Sequence, residues 1–558
     1  MPRSRRPGSR RTPPDHPQDH VCHVVDEIGG IRTTGARGLH ALNEDLGDPA
    51  DEDEAREPAG GVLDATRTLE RGEGLVDRLR EGAIGRAPLL LESIRDAYRL
   101  HLEHTCLALV GQDRVERAAD ELAAVKALHL AGIPFDCFEK GTEIGGNWLF
   151  DNPNGQSACY ETLEINTSCP RMAFSDFPMP ADYPPYARHD QVHAYFEAYA
   201  AHFGFRHRIT FSTTVTEVTR TDEGGWRVRT TGPEGEQSRD YDAVLVANGH
   251  HWDAHRPAPD EYPGTFSGEQ IHAHDYRSGD QLAGRDVVVV GAGNSAMDIA
   301  VEGSRRANST TLSIRRGQWV MRKFLLGRPS DQIALPGWMP WWATAARLRI
   351  GALTSGGLRR YGLPTPPHKP GQSHPVQSEQ IRERIAAGAV TVRPGIERFD
   401  GDQVVFVDGT RTRADLIIWA TGYKVSFPFL DRSLVDPDGN ELPLWKRAVH
   451  PDLPGLFFIG LLQPVGAVMP LAEAQSAWIA EMLTGGCAPP SAAEMRAQMT
   501  RDHERYKRRF YASPRHTMEV DFDHFLWDLA RERRAGARRA AAQRRAAAGE
   551  RMPQQVTA

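Results

Sequence analysis

Val287-Val-Val-Val290-Gly291-Ala-Gly293-Asn294-Ser295-Ala296-Met297-Asp298 is a short β-branched run that enters a glycine turn and then a helix. Glycines at such a turn let backbone amides approach a pyrophosphate, and the helix N-terminus faces its charge. G-x-G-x-x-A in this setting therefore reads as a dinucleotide cradle. A glycine turn that serves only chain reversal is the competing reading. About twenty residues on, the strand Thr310-Thr-Leu-Ser-Ile314 ends at Arg315-Arg316, where an NAD site carries an acidic residue. Two guanidiniums suit a 2′-phosphate, which selects NADP(H).

A chain of 558 residues with 40% hydrophobic content has room for two or three domains with full cores. Its formal charge of -7 arises from 67 basic and 74 acidic residues, a balance unlike that of a nucleic-acid-binding protein. Six cysteines occur without a C-x-x-C pair, so zinc, a disulfide scaffold and dithiol redox chemistry are not indicated, and a cytoplasmic setting is the default. No apolar run reaches the roughly eighteen residues of a spanning helix, and no secretory signal is legible. His250, His251 and His272 lack partners at ligand spacing, and no metal is expected.

Residues 1–104 open with Pro2-Arg-Ser-Arg-Arg-Pro7 and include the acidic Asp48 to Glu57 stretch; disorder is expected there, with one helix between Ala65 and Leu100. Residues 531–558 form an Arg/Ala-rich tail, read as a solvated helix or disordered extension rather than an RNA-binding arm. Between these ends strands and helices alternate, as in parallel α/β sheets. Leu122 to Leu130 reads as a helix stopped at Gly132, followed by a strand from Pro134 to Phe138 and then Glu139-Lys140, where a carboxylate can accept from a ribose diol. Asp242 to Gly249 and Ala414 to Tyr423 are two similar strands that bracket the Gly291 unit. The fold class is thus α/β with two Rossmann-like nucleotide-binding domains, one inserted in the other. The expected limits are 105–283 and 414–530 for the outer domain and 284–413 for the insert.

These residues resemble the flavin-containing monooxygenases, related to the Baeyer-Villiger monooxygenases. Phe266-Ser-Gly268-Glu-Gln-Ile-His272-Ala-His-Asp-Tyr276 fits the family's F-x-G-x-x-x-H-x-x-x-(Y/F) motif. Glu139-Lys140 with Gly145-Gly146-Asn147-Trp148, the Gly293 to Asp298 turn, Ala420-Thr421-Gly422-Tyr423, and the run from Leu456 through Gly460 and Gln463 to Gln475 agree with it. The resemblance covers about residues 122–530 and implies FAD in the outer domain and NADPH in the insert. It also implies oxygenation, through a C4a-hydroperoxyflavin, of a soft nitrogen or sulfur nucleophile of the N,N-dimethylaniline type. Tyr276-Arg277 stands where Baeyer-Villiger enzymes carry Trp-Pro; ketone oxidation is the alternative.

The resemblance makes Asn166, with Thr167 beside it and ahead of Phe174-Ser-Asp-Phe-Pro178, the catalytic candidate. A neutral amide can donate near the flavin N5 without delivering a proton; capping of a local turn is the alternative. His272 and Tyr276 are expected on the linker between domains. Partners are expected to be a small substrate and O2, with a homo-oligomer open. Trp338-Met-Pro-Trp-Trp342, after Leu325-Leu326, is an aromatic patch open to core packing, a substrate tunnel or a membrane surface.

One element is missing. Counting back about twenty residues from Glu139 should reach a first G-x-G-x-x-G, yet Asp113 to Glu121 holds no glycine and Gly111 stands alone. Side chains would block the pyrophosphate, and Glu116, Asp120 and Glu121 would oppose its charge. A local change of reading frame or a misassigned start would leave a defective cradle; otherwise the chain binds FAD differently or not at all. Much-reduced FAD affinity is expected, and a remnant that binds only NADP(H) is a further alternative.

Overall fold

Continuous apolar runs, buried on both faces, form the centres of two parallel sheets, because helices and loops cover both sides of such sheets. The computed structural model describes residues 107–111, 117–354, 358–511 and 518–550. The extension over 1–104 and its expected helix lie outside the described residues.

In chain order the first sheet begins with β1 (Leu107–Gly111), α1 (Arg117–Leu130) and β2 (Phe135–Glu139), followed by α2 (His189–Phe203), β3 (Ile209–Thr210) and β4 (Ala243–Val246). The second contains β5 (Glu269–His272), β6 (Asp286–Val290), α3 (Asn294–Arg306) and β7 (Ser309–Ser313); α4 (Trp341–Thr354), β8 (Thr391–Arg393) and β9 (Leu416–Trp419) follow. The chain then returns through β10 (Leu456–Phe458) and α5 (Met469–Leu483), and α6 (Phe522–Glu550) closes the described part. The strand orders are β10-β4-β1-β2-β3 and β8-β7-β6-β9-β5, every pair parallel. Helix α1 buries Ala119, Leu122, Val125 and Leu128, all within one core with Leu109 of β1, and the chain turns at Gly132, whose φ of 67° suits glycine.

The structure revises the expected limits. Leu416 to Trp419 pairs residue by residue with Val287 to Val290, and the Asp415 carboxylate accepts from the Asp286 amide at 2.9 Å, fixing that register. β9 therefore lies in the second sheet, as does β5, so this sheet draws strands from both sides of 284–413. The strand expected over Ala414–Tyr423 ends at Trp419; after a turn with Gly422 at φ 86°, Tyr423–Lys424 pairs antiparallel with Asp253–Ala254. β1, which no glycine turn follows to mark it in the sequence, is central to the first sheet.

Of the two readings of the tail, helix or disordered extension, residues 531–550 take the helix and continue α6. Arg533 pairs with Glu481 of α5, Arg539 Nε donates to the Ala488 carbonyl at 2.9 Å, and Gly536 lies so close to Cys487 that a Cβ has no room. The Gly536→Val substitution is expected to lift this stretch from α5 at a cost of about 1–3 kcal/mol. A lower denaturant midpoint, with faster labelling of the buried Cys487, would register the change; unaltered labelling would count against this packing.

Candidate cofactor site

Segments beyond the C-terminal ends of β4, β6, β7 and β9 surround a cavity of about 1560 Å³, the position at which open parallel sheets bind ligands. Gly291 begins one wall. Its φ is 149° and a Cβ would collide with the Ala420 carbonyl, so only glycine lets β6 turn into α3 while it lies against the end of β9. Its amide donates to the Ser313 carbonyl at 3.0 Å, and Asn294 Oδ1 accepts from the Gln377 amide at 3.1 Å. Gly291, Gly293, Asn294, Ser295 and Ala296 line the cavity, together with Arg315 and Arg316. Met297 and Asp298 are not in the wall, and Met297 packs in the core. The Arg315 side chain is 73% exposed and only 3.9 Å from Glu261, leaving it able to meet a phosphate.

The facing wall carries Asn147, Trp148, Asn166, Thr167 and Gln463. Gly145 and Gly146, with φ of 139° and 51°, make the turn that seats Asn147 and Trp148, and Asn147 Oδ1 accepts from the Ala158 amide. Asn166 and Thr167 lie in a turn pinned by the Ile165 amide to the Ala187 carbonyl at 2.9 Å. Beyond them the Ser168 amide and hydroxyl both donate to Asp331, at 2.7 and 2.8 Å. His272, Thr421 and Gly422 also face the cavity.

Glu139, Lys140, Gly145, Gly146, Gly460, Phe266, Gly268 and Tyr276 are not in its wall. Glu139 is buried and accepts from the Gly141 amide. Phe266 packs on Phe399 at 5.6 Å, Gly268 is held between the Phe266 ring and the Asp415 carbonyl, and Tyr276 tilts on Tyr160 at 5.8 Å. Residues 266–276 thus include an edge strand of the second sheet, of which His272, expected on a linker, is the last residue, while Tyr276 lies beyond that strand; of Phe266, Gly268, His272 and Tyr276, only His272 reaches the cavity.

One pair is not legible in the sequence. Tyr160 lines the cavity and its hydroxyl donates to Asp298 Oδ2 at 2.7 Å, tying the cavity lining to α3 behind it; Asp298 stands in a motif, but nothing local marks Tyr160. Burial lifts the Asp298 carboxyl to about 6, against the opposing hydrogen bond from Tyr160. Burial alone lowers His250 to about 4, so that ring is neutral at neutral pH. Because the folded value for Asp298 exceeds that of a solvated aspartate, this group favours the fold while protonated. It loses that contribution as pH rises through about 6. The Asp298→Asn variant, which keeps an acceptor for Tyr160, is expected to match the parent near pH 4 and to gain about 1–2 kcal/mol near pH 8. Urea midpoints at the two pH values check this, and an equal gain at both would refute burial as the cause.

The wall residues fit a nicotinamide dinucleotide on the Gly291 side and a flavin ring on the Asn166 side. The described part of the flavin pyrophosphate end does not fit. Residues 112–116 lie outside the described residues, but α1 buries Asp120 in its first turn, where an anion would sit, and Glu121 beside it. The Asp120 carboxylate fills the space a Cβ on Gly460 would take, while Cys137 Sγ donates to Glu121 Oε1 at 3.1 Å. Burial, followed by the Glu121 charge, holds the Cys137 thiol well above its usual range. An Asp120→Gly, Glu121→Gly variant is expected to retain at least about threefold more FAD after desalting than the parent. The visible flavin absorbance per chain measures it; no increase would clear the two acids.

The profile of the flavin-binding monooxygenase-like family matches residues 115–537. Flavin-containing monooxygenase 5 of Cavia porcellus is 35% identical over 432 residues, 73% of this chain and 80% of that protein. The solved S-allyl-L-cysteine S-oxygenase of Allium sativum superposes with a TM-score of 0.57 at 24% identity, over 81% of this chain and 94% of its own. Cyclohexanone monooxygenase gives 0.58 at 17% identity, over 78% and 98%; both likenesses establish the fold. The chain belongs to the flavin-binding monooxygenase-like family, oxidoreductases that work with FAD and NADPH.

Proposed function

We propose that this chain uses NADPH and dioxygen to oxygenate a soft nitrogen or sulfur nucleophile, such as a tertiary amine or a thioether. The observation that carries the reading is the cavity in which the Gly291–Ala296 turn and Arg315-Arg316 face the Asn147–Trp148 and Asn166–Thr167 segments. A protein of the same fold, the S-oxygenase of Allium sativum, is named for oxygen transfer to sulfur. Tyr276, buried against Tyr160, supports heteroatom over ketone oxidation because the ketone-oxidising relatives carry a different residue pair there.

Bound FAD would supply the activation of dioxygen, and NADP(H) the hydride. The chain supplies positions and exclusion of water. Backbone amides at the start of α3 would hold the dinucleotide pyrophosphate, and the two guanidiniums would hold its 2′-phosphate. The Asn166 amide would donate a hydrogen bond at the ring without carrying an acidic proton, and the buried Trp148, which lines the same cavity, would help exclude water.

The purified chain, supplied with FAD and NADPH, is offered a thioether and a cyclic ketone side by side. Sulfoxide formed with matching NADPH consumption is expected; an ester would overturn the substrate class, and NADPH binding without oxidation would overturn monooxygenation. In the same assay, Arg315→Ala with Arg316→Ala is expected to raise KM for NADPH about tenfold or more, with little change for NADH. Equal effects on both would refute the 2′-phosphate assignment.

A further inference from the structure

The turn that follows β2 meets one side of α2 outside the cavity wall. His193 and Glu197, four residues apart, project from that same side of the helix, while its opposite side buries Val192, Tyr195 and Tyr199 in the core. Glu143 comes from the turn. One ligand atom from each of Glu143, His193 and Glu197 lies within 4.8 Å of the others, and all three side chains are partly buried. Glu143 stands far from the other two in the chain, so no motif spacing marks the trio in the sequence.

The imidazole is set up as a ligand. His193 Nε2 donates to the Ile144 carbonyl at 2.9 Å, so Nδ1 keeps the lone pair that a metal takes. A backbone carbonyl on the other ring nitrogen is what fixes the tautomer and the ring plane of metal-bound histidines. Gly145, at φ 139°, brings the backbone against the same ring, where a Cβ would stand 2.8 Å from His193 Cδ2. Glu197 Oε2 accepts from Arg206 Nε at 3.2 Å, which leaves the second carboxylate oxygen for a cation. With the imidazole neutral, two carboxylates against one guanidinium leave the cluster net negative, and a divalent ion supplies the missing charge.

The donor set selects the ion. Magnesium and calcium take oxygen ligands, and imidazole favours a later transition metal. One nitrogen and two carboxylate oxygens, with a fourth position for water, suit zinc. Zinc at about 2.1 Å from each would set the three ligand atoms about 3.4 Å apart, a contraction that small rotations of partly exposed side chains supply.

We propose that Glu143, His193 and Glu197 bind a zinc ion that fastens the 141–148 turn to α2. Asn147 and Trp148 at the end of that turn line the cavity, so the ion would steady this wall from behind without touching a cofactor. The inference stands apart from the proposed reaction, because metal content is read without turnover.

The full-length chain is dialysed to equilibrium against zinc held at about 1 μM free ion, and bound metal per chain is measured by atomic absorption. About one zinc per chain is expected, with magnesium and calcium left unbound at the same concentration. Glu143→Gln and His193→Gln are each expected to weaken zinc binding at least about tenfold while circular dichroism stays unchanged. His202→Gln, which alters a histidine of the same helix outside the trio, should keep the ion. Bound zinc is expected to slow amide hydrogen exchange across residues 141–148 in the parent and not in the first two variants. No bound zinc, zinc undiminished by Glu143→Gln or His193→Gln, or calcium and magnesium taken up as readily as zinc overturns the proposal. So does zinc that binds and leaves exchange over 141–148 unmoved.

Discussion

The close approach of Gly291 to the Ala420 carbonyl is the constraint on which the site depends. β6 and β9 run side by side in register, and both end where the chain must turn. A side chain at Gly291 would force the strands apart and move the start of α3, and with it the amides that face the cavity. The same sheet sets Arg315 and Arg316 at the end of β7, where the Gly291 amide donates to the Ser313 carbonyl, so the turn stands beside the two guanidiniums.

The two sheets handle the corresponding position in opposite ways. In the second, a glycine turn leaves the helix N-terminus open to a bound anion. In the first, α1 places Asp120 and Glu121 there, buried against Gly460 and Cys137. A helix N-terminus gains from one anionic group, and a carboxylate already in place competes with a phosphate for that gain. Trp148, Asn166 and Gln463 nevertheless line the cavity.

Family membership describes the cofactors and the class of reaction and says nothing of the outward face of α4. Its apolar residues lie outside the cavity wall and its charge is opposite to that of the chain as a whole.

Much of the Gly291 site is legible locally. A β-branched run, two glycines and a helix specify the cradle because every contact that makes it acts within a few residues, and Arg315-Arg316 follow at the spacing of one strand and helix. Absence of glycine before α1 is equally visible. The sequence could not assign Leu416–Trp419 to the second sheet, since an apolar run carries no label for its partner strand and its register is decided by Val287–Val290 and the Asp286–Asp415 contact. Nor could it pair Tyr160 with Asp298, which lie 138 residues apart. The order of residues determined which turns can hold a phosphate; only the tertiary structure decided which of them share a cavity, because that depends on strand pairing across long separations.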